Sequence, residues 1–223
     1  MSLSSKKNFF YSVISDNPKD IFKNLKLFEE SGVSGIHFDV MDGMFVPRLG
    51  LYPELLSQIR KETSLFIEVH AMVTTPSSFI NKFAEAGANR IIYHVETSDN
   101  VSTLISITKD LGMECGLALN PATSIKLLEP FTHNLDAIML MAINPGIPKH
   151  PFIDGTYAKL MTVKSLLAHI EGEREIIIDG GVTFDNLEQL FSDGANTLIC
   201  GSGTLFSPGR TLTENLQLLK SKI

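Results

Sequence analysis

The sequence predicts an α/β fold, a single-domain (β/α)8 TIM barrel over residues 1–223. Eight short apolar runs alternate with eight amphipathic stretches along the chain. The apolar runs lack the strict alternation of a half-exposed sheet, which indicates parallel strands covered on both faces. Eight such units fit a closed barrel better than an open sheet. No linker or low-complexity segment divides the chain, so we expect one domain.

The predicted elements follow one another in regular order. Strands are expected at residues 10–14, 35–40, 65–70, 90–94, 114–119, 137–142, 175–179 and 197–200. Helices are expected at residues 20–31, 53–62, 76–86, 101–111, 124–131, 156–170, 184–193 and 211–222. Thr75-Pro76 and Asn100 suit helix starts, whereas Gly87 and Gly112 lie where helices should end.

Composition and charge argue against several function classes. The 19 basic and 25 acidic residues give a net charge of −6 without a basic run, which disfavours nucleic-acid and anionic-membrane binding. No apolar run approaches membrane-spanning length, and residues 1–8 do not resemble a signal peptide. Cys115 and Cys200 lie far apart in apolar runs, as buried free thiols of a reducing compartment do. We therefore expect a soluble, cytoplasmic protein.

The second predicted strand carries polar side chains just before it ends. His37 and Asp39 alternate with Ile36 and Phe38. At a period of two residues, the imidazole and the carboxylate share one face with the thioether of Met41. Buried polar groups need partners or a metal. A hydrogen-bonded pair without a ligand role is the alternative interpretation.

Two further predicted strands end in residues of the same kind. The third closes with His70, and the seventh closes with Asp179. Because functional side chains of such barrels follow the carboxyl ends of the strands, two imidazoles and two carboxylates should converge on one mouth. This set predicts a site for one divalent metal ion. For His70 alone, a hydrogen-bonded core histidine is the alternative.

Glycine-rich turns follow the last two predicted strands. Gly180-Gly181 and Gly201-Ser202 lie where barrels often hold a phosphate against backbone N–H groups and a short helix N-terminus. Glycine allows the close approach of a ligand to the backbone. These four residues therefore predict a phosphate-binding site and a small phosphorylated ligand.

Four segments together resemble the ribulose-phosphate 3-epimerase family. They are residues 37–47 (HFDVMDGMFVP), 69–73 (VHAMV), 141–146 (MAINPG) and 179–182 (DGGV), and Ser12 and Gly201-Ser202 extend the match. The resemblance implies a (β/α)8 barrel and inversion of a ketose phosphate at C3. It also implies one divalent ion (Zn, Fe, Mn or Co) that is held by His37, Asp39, His70 and Asp179.

The resemblance further assigns roles to single residues. Asp39 and Asp179 would be the acid and base, because inversion beside a ketone requires one group that removes a proton and another that returns one to the opposite face. The enediolate between these steps needs positive charge near its oxygens. Substrate contacts are implied for Ser12, Met41, His70, Met72, Met141 and Gly146. For each methionine, ordinary soft core packing is the alternative.

His94 and Glu96 on the fourth predicted strand also match the family pattern. They would be either polar groups that support the metal ligands or ordinary packing. We also expect a homo-oligomer that binds a small phosphorylated sugar.

The chain departs from the family pattern near the expected substrate. Met44 and Arg48 replace the usual His and Asn, and Ala71 replaces Leu. The usual Gly-Phe-Gly-Gly-Gln loop after strand six reads Gly-Ile-Pro-Lys-His at residues 146–150. Pro148 removes an N–H group and fixes φ, which affects both lid movement and a phosphate contact, whereas Lys149 could restore a contact through its charge.

These observations predict a metal-dependent 3-epimerase whose most favoured reaction is the conversion of D-ribulose 5-phosphate to D-xylulose 5-phosphate. One alternative is a D-allulose-6-phosphate 3-epimerase, because the altered loop lies near the substrate. A second alternative is a non-catalytic family member that binds a sugar phosphate. A related decarboxylase or aldolase is disfavoured, because the second and third strands carry no Asp-x-Lys-x-x-Asp motif.

Overall fold

The computed structural model describes residues 7–147 and 150–222 as a closed barrel of parallel strands. The strands are β1 (Asn8–Ser12), β2 (Gly35–Met41), β3 (Phe66–Met72), β4 (Arg90–His94), β5 (Glu114–Leu119), β6 (Ala137–Met141), β7 (Glu175–Asp179) and β8 (Thr197–Cys200). Each strand pairs in parallel with its sequence neighbours, and β8 pairs with β1. The predicted (β/α)8 fold class is confirmed.

The α-helices cover the outside of the barrel. Within the described residues they are α1 (Ile21–Ser31), α2 (Pro53–Glu62), α3 (Ile80–Ala86), α4 (Val101–Asp110), α5 (Gly155–Leu167), α6 (Leu187–Asp193) and α7 (Leu212–Lys220). None of these helices is both long enough and apolar enough to cross a bilayer. Helix α7 begins with a complete capping box, in which Thr211 and Glu214 satisfy each other's backbone N–H groups.

One predicted helix is wrong. Residues 124–131 form only a 3-10 turn at Ile125–Leu127, and a second turn follows at Thr132–Asn134. Pro121 precedes this segment and Pro130 lies within it, and a proline disfavours helical backbone at the residue before it. The space between β5 and β6 is therefore covered by turns, and the segment predicted at residues 76–86 likewise begins with a 3-10 turn before α3.

Three apolar clusters form the interior of the described residues, and the smallest consists of Met41, Val46 and Met72. The largest one packs between the strands and the helices and includes Tyr93, Phe38 and Leu140. The second one lies inside the barrel and includes Ile92 and Met139. Because side chains alternate along each strand, residues next to each other in sequence, such as Ile92 and Tyr93, belong to different clusters.

The two cysteines are free and buried, as predicted. Burial raises the pKa of both Cys115 and Cys200 to about 12. Both thiols therefore stay protonated and unreactive at neutral pH.

Candidate active site

Four side chains from three strands converge at the carboxyl end of the barrel. His37 and Asp39 come from β2, His70 from β3 and Asp179 from β7, and one ligand atom from each lies within 4.8 Å of the others. Oδ1 of Asp39 lies 3.1 Å from Nε2 of His37 and 3.2 Å from Nδ1 of His70. Oδ2 of Asp179 lies 3.7 Å and 3.3 Å from the same two nitrogens. The predicted ligand set is thus brought together.

The register of β2 and β3 explains this convergence. Asp39 is paired with His70, and His37 is paired with Glu68. Because alternate side chains face the barrel interior, these four residues form two adjacent inward-facing rows. Their side chains are buried, so each polar atom needs a partner within the barrel.

The second ring nitrogen of His37 is held by a buried ionic network. Nδ1 of His37 lies 2.9 Å from Oε1 of Glu68, whose other oxygen accepts a hydrogen bond of 2.9 Å from Arg90. Arg90 also donates to Glu114 at 2.9 Å and to Glu175 at 2.6 Å. The sequence interpretation missed Glu68 and Arg90, although Glu68 precedes His70 by two residues and therefore shares its face of the strand.

The second ring nitrogen of His70 faces another histidine. Nε2 of His70 lies 2.9 Å from Nε2 of His94, and Nδ1 of His94 lies 3.2 Å from Oε2 of Glu96. Burial lowers the pKa of His94 to about 4, which keeps this imidazole neutral. His94 and Glu96 thus lie directly behind a candidate ligand, which favours the supporting role over ordinary packing.

The electrostatics of the cluster fit a divalent cation. Burial disfavours a charged His37, but the carboxylates of Asp39 and Asp179 outweigh it and raise the pKa of His37 well above its usual value. Burial likewise opposes ionisation of Asp39, yet the charge of His37 and hydrogen bonds from both histidines lower its pKa. The site therefore attracts positive charge. Two imidazole nitrogens and two carboxylate oxygens suit zinc, iron, manganese or cobalt.

This charge balance predicts how metal stabilisation depends on pH. Without a metal, protonated His37 and His70 stabilise the fold, because the neighbouring carboxylates raise both pKa values above the usual value of about 6.5 for histidine. That contribution is complete below about pH 6.5 and is lost as the pH rises through the raised values. A metal ion replaces the protons, so the increase in Tm on adding manganese should be larger at about pH 8 than at about pH 6. Thermal unfolding with manganese or with a chelator measures this difference, and equal increments would contradict it.

A cavity of about 900 Å³ opens above the cluster. Its lining includes both carboxylates and most of the residues predicted to contact substrate or phosphate: Ser12, Asp39, Met41, Met72, Met141, Gly146, Asp179, Gly180, Gly181, Gly201 and Ser202. His70 is fully buried and does not line the cavity. The position of His70 suits a metal ligand. Because His70 does not line the cavity, the structure does not support its predicted contact with substrate.

The loops after β7 and β8 form one rim of the cavity. Asn186 orders the first loop, because its side chain accepts a hydrogen bond from the Thr183 N–H at 2.8 Å and donates to the Gly181 carbonyl at 3.0 Å. In the part of the chain that the structure describes, the N–H groups of Gly181 and Ser202 have no hydrogen-bond acceptor. These donors are available to an anionic ligand. The sequence interpretation missed the role of Asn186.

The loops after β2 and β6 meet at another part of the rim. A side chain on Gly146 would place its Cβ 2.6 Å from Cβ of Val46, so the glycine permits this packing. Arg48 and His150, which replace the family's usual residues, both line the cavity. Pro148 and Lys149 lie outside the described residues, so the predictions about the lid stay predictions.

Comparison with known proteins agrees with this geometry. The family model described as "Ribulose-phosphate 3 epimerase family" matches residues 9–205. The chain belongs to the ribulose-phosphate 3-epimerase family. A ribulose-phosphate 3-epimerase of Chlamydia trachomatis serovar D is 35% identical over 204 residues, which cover 91% of this chain and 88% of the relative. One from Aquifex aeolicus is 37% identical over 172 residues, which cover 77% and 78%.

Membership of the ribulose-phosphate 3-epimerase family confirms the predicted enzyme class, an isomerase that acts on carbohydrates. Among solved structures, a mutant tryptophan synthase α-subunit from Pyrococcus furiosus matches with a TM-score of 0.69 and 14% identity, covering 99% of this chain and 100% of that chain. At that identity the structural match shows the barrel fold alone.

Proposed function

We propose that this chain interconverts D-ribulose 5-phosphate and D-xylulose 5-phosphate by inverting C3. The observation that carries the proposal is the placement of two carboxylates, Asp39 and Asp179, at the floor of the substrate cavity within one four-residue cluster. Membership of the family supports the reaction class. A ribulose phosphate is the substrate that the names of the curated relatives favour.

In this mechanism the rim and the floor of the cavity bind opposite ends of the sugar. The phosphate binds the free N–H groups of Gly181 and Ser202, which contribute dipoles at low reorganisation cost. The ketone and C3 then lie at the floor near Asp39 and Asp179. Met41, Met72 and Met141 line the cavity between these ends and exclude water from the reacting carbons.

Asp39 and Asp179 move the proton. One carboxylate removes the C3 proton from one face of the sugar, and the other carboxyl group returns a proton to the opposite face. The reverse reaction exchanges their roles. The lowered pKa of Asp39 keeps that side chain ionised and able to act as a base at neutral pH.

A divalent ion would be held by His37, Asp39, His70 and Asp179, and its positive charge would favour the enediolate. Glu68 and Arg90 keep the imidazole of His37 in place from behind. The buried position of this network prevents the ligand from rotating away.

The phosphate assignment predicts the effect of a glycine substitution. A side chain on Gly201 would collide with Ser15, whereas one on Gly155 would meet no atom within 4 Å. Gly201→Ala should therefore raise KM for the sugar phosphate by about tenfold or more, the effect of weakening hydrogen bonds to a charged group. Gly155→Ala is the matched control and should keep the wild-type KM. Steady-state kinetics measure both, and equal turnover of free ribulose and its phosphate would contradict the site.

We further propose that the protein is a single-domain, cytoplasmic homo-oligomer that acts on a small phosphorylated sugar. Sedimentation of the purified protein at several concentrations tests the oligomeric state, and a monomer at all concentrations would contradict that part.

A further inference from the structure

A row of three side chains, the buried His70 and His94 and the partly buried Glu96, runs from the candidate metal ligand His70 to the loop after β5. The rings of His70 and His94 are stacked at 21° with centroids 5.1 Å apart, and neither residue is exposed. Nε2 of His70 faces Nε2 of His94 at 2.9 Å. The other nitrogen of His94 faces Glu96, and Phe45 covers the His94 ring at a centroid distance of 4.9 Å.

The positions of the protons in this row of side chains follow from which nitrogen and oxygen atoms must accept a hydrogen bond. A metal ligand must offer an unprotonated nitrogen, and Nδ1 of His70 is the nitrogen that faces Asp39 and Asp179. The proton of neutral His70 is then on Nε2, and it can only be donated to an unprotonated Nε2 of His94. His94 consequently carries its own proton on Nδ1 and donates it to Glu96.

Glu96 is fixed as the final acceptor. Its Oε1 accepts hydrogen bonds from the backbone N–H of Asn120 at 2.9 Å and from the hydroxyl of Thr123. Lys159 on α5 donates to the carbonyls of Asn120 and Pro121, so the loop that holds Glu96 is itself anchored. Each side-chain nitrogen and oxygen in this row thus has at least one partner of the right kind.

We propose that His94 is a positioning residue that fixes the tautomer and the orientation of His70 for metal binding, and that Glu96 fixes the tautomer of His94. The inference rests on the metal site of the proposed function. It distinguishes the two histidine ligands, because the second ring nitrogen of His37 faces the carboxylate of Glu68 directly, whereas the second ring nitrogen of His70 is linked to a carboxylate through the imidazole of His94.

The first test compares three variants by competition for zinc with a chromophoric chelator and by the visible spectrum of the cobalt-loaded protein. His94→Leu removes the acceptor and should weaken zinc binding by roughly 10–100-fold with an altered cobalt spectrum. His94→Gln can still accept from His70 and should recover most of the affinity. Tyr93→Phe is the matched control on the same strand, because Tyr93 bonds Thr108 outside the site; it should lower Tm without changing zinc affinity.

The second test needs no variant and stands even if His94→Leu does not fold. Long-range ¹⁵N–¹H correlation spectra of the zinc-loaded wild type should show His70 protonated at Nε2 and His94 protonated at Nδ1. Protonation of His94 at Nε2 would overturn the inference, as would a folded His94→Leu protein with wild-type zinc affinity and cobalt spectrum. The proposed function is tested separately. It stands if the wild type binds one metal ion and epimerises the sugar, whatever the result for His94.

Discussion

Replacing Asp39 with Asn is expected to lower the rate of epimerisation by roughly 10²–10⁴-fold, the contribution of one positioned acid or base. Asparagine keeps the size of the side chain but cannot accept the C3 proton. The decrease should lie in kcat, since phosphate binding uses the separate rim at Gly181 and Ser202. Asp179→Asn should show a decrease of the same order, because inversion needs both faces.

Each carboxylate is also a candidate metal ligand, so metal content must be measured on the same samples. Proton exchange from one epimer should survive better than epimerisation in a metal-loaded Asp39→Asn protein, because Asp179 still serves its own face. A variant that retains its metal and epimerises at the wild-type rate would show that Asp39 is not an acid or base in the reaction.

Replacing His70 with Ala should remove most of the bound metal. The wild type should carry close to one divalent ion per chain, because four ligand atoms lie within 4.8 Å of one another. His70→Ala removes one of the two nitrogen ligands, and the carboxylates of Asp39 and Asp179 lose their contact with that imidazole. His169→Ala, which changes an exposed histidine on the surface, is the matched control and should keep its metal. Elemental analysis that finds equal metal in the wild type and in His70→Ala would refute the ligand set.

Much of the site could be predicted from strand ends. Asp179 ends β7, His70 lies in the last half of β3, and His37 and Asp39 share the inward face of β2, so the barrel topology brings these positions toward one mouth. The glycines after β7 and β8 were informative for the same reason. A sequence period of two residues was enough to separate the side chains that face the barrel from those that face the helices.

The contacts behind the metal ligands could not be predicted in the same way. Arg90 joins Glu68, Glu114 and Glu175, which come from three different strands, and only the register of the closed barrel places them together. The pairing of His70 with His94 likewise depends on side-chain direction across β3 and β4. The missing helix after β5 had a local signal in Pro121 and Pro130, but the amphipathic pattern of residues 124–131 outweighed it.

Solvent exchange at C3 shows whether this chain inverts that carbon of a ketose phosphate. Purified, metal-loaded protein is incubated in D₂O with ribulose 5-phosphate, allulose 6-phosphate and free ribulose, and deuterium at C3 is followed by NMR. We expect deuterium in both epimers of the pentulose phosphate, faster than in the hexulose phosphate and far faster than in the free sugar. Faster exchange of the hexulose phosphate would change the substrate but keep the reaction. Tight binding of these sugar phosphates with the metal in place and no deuterium at C3 would contradict the epimerase function.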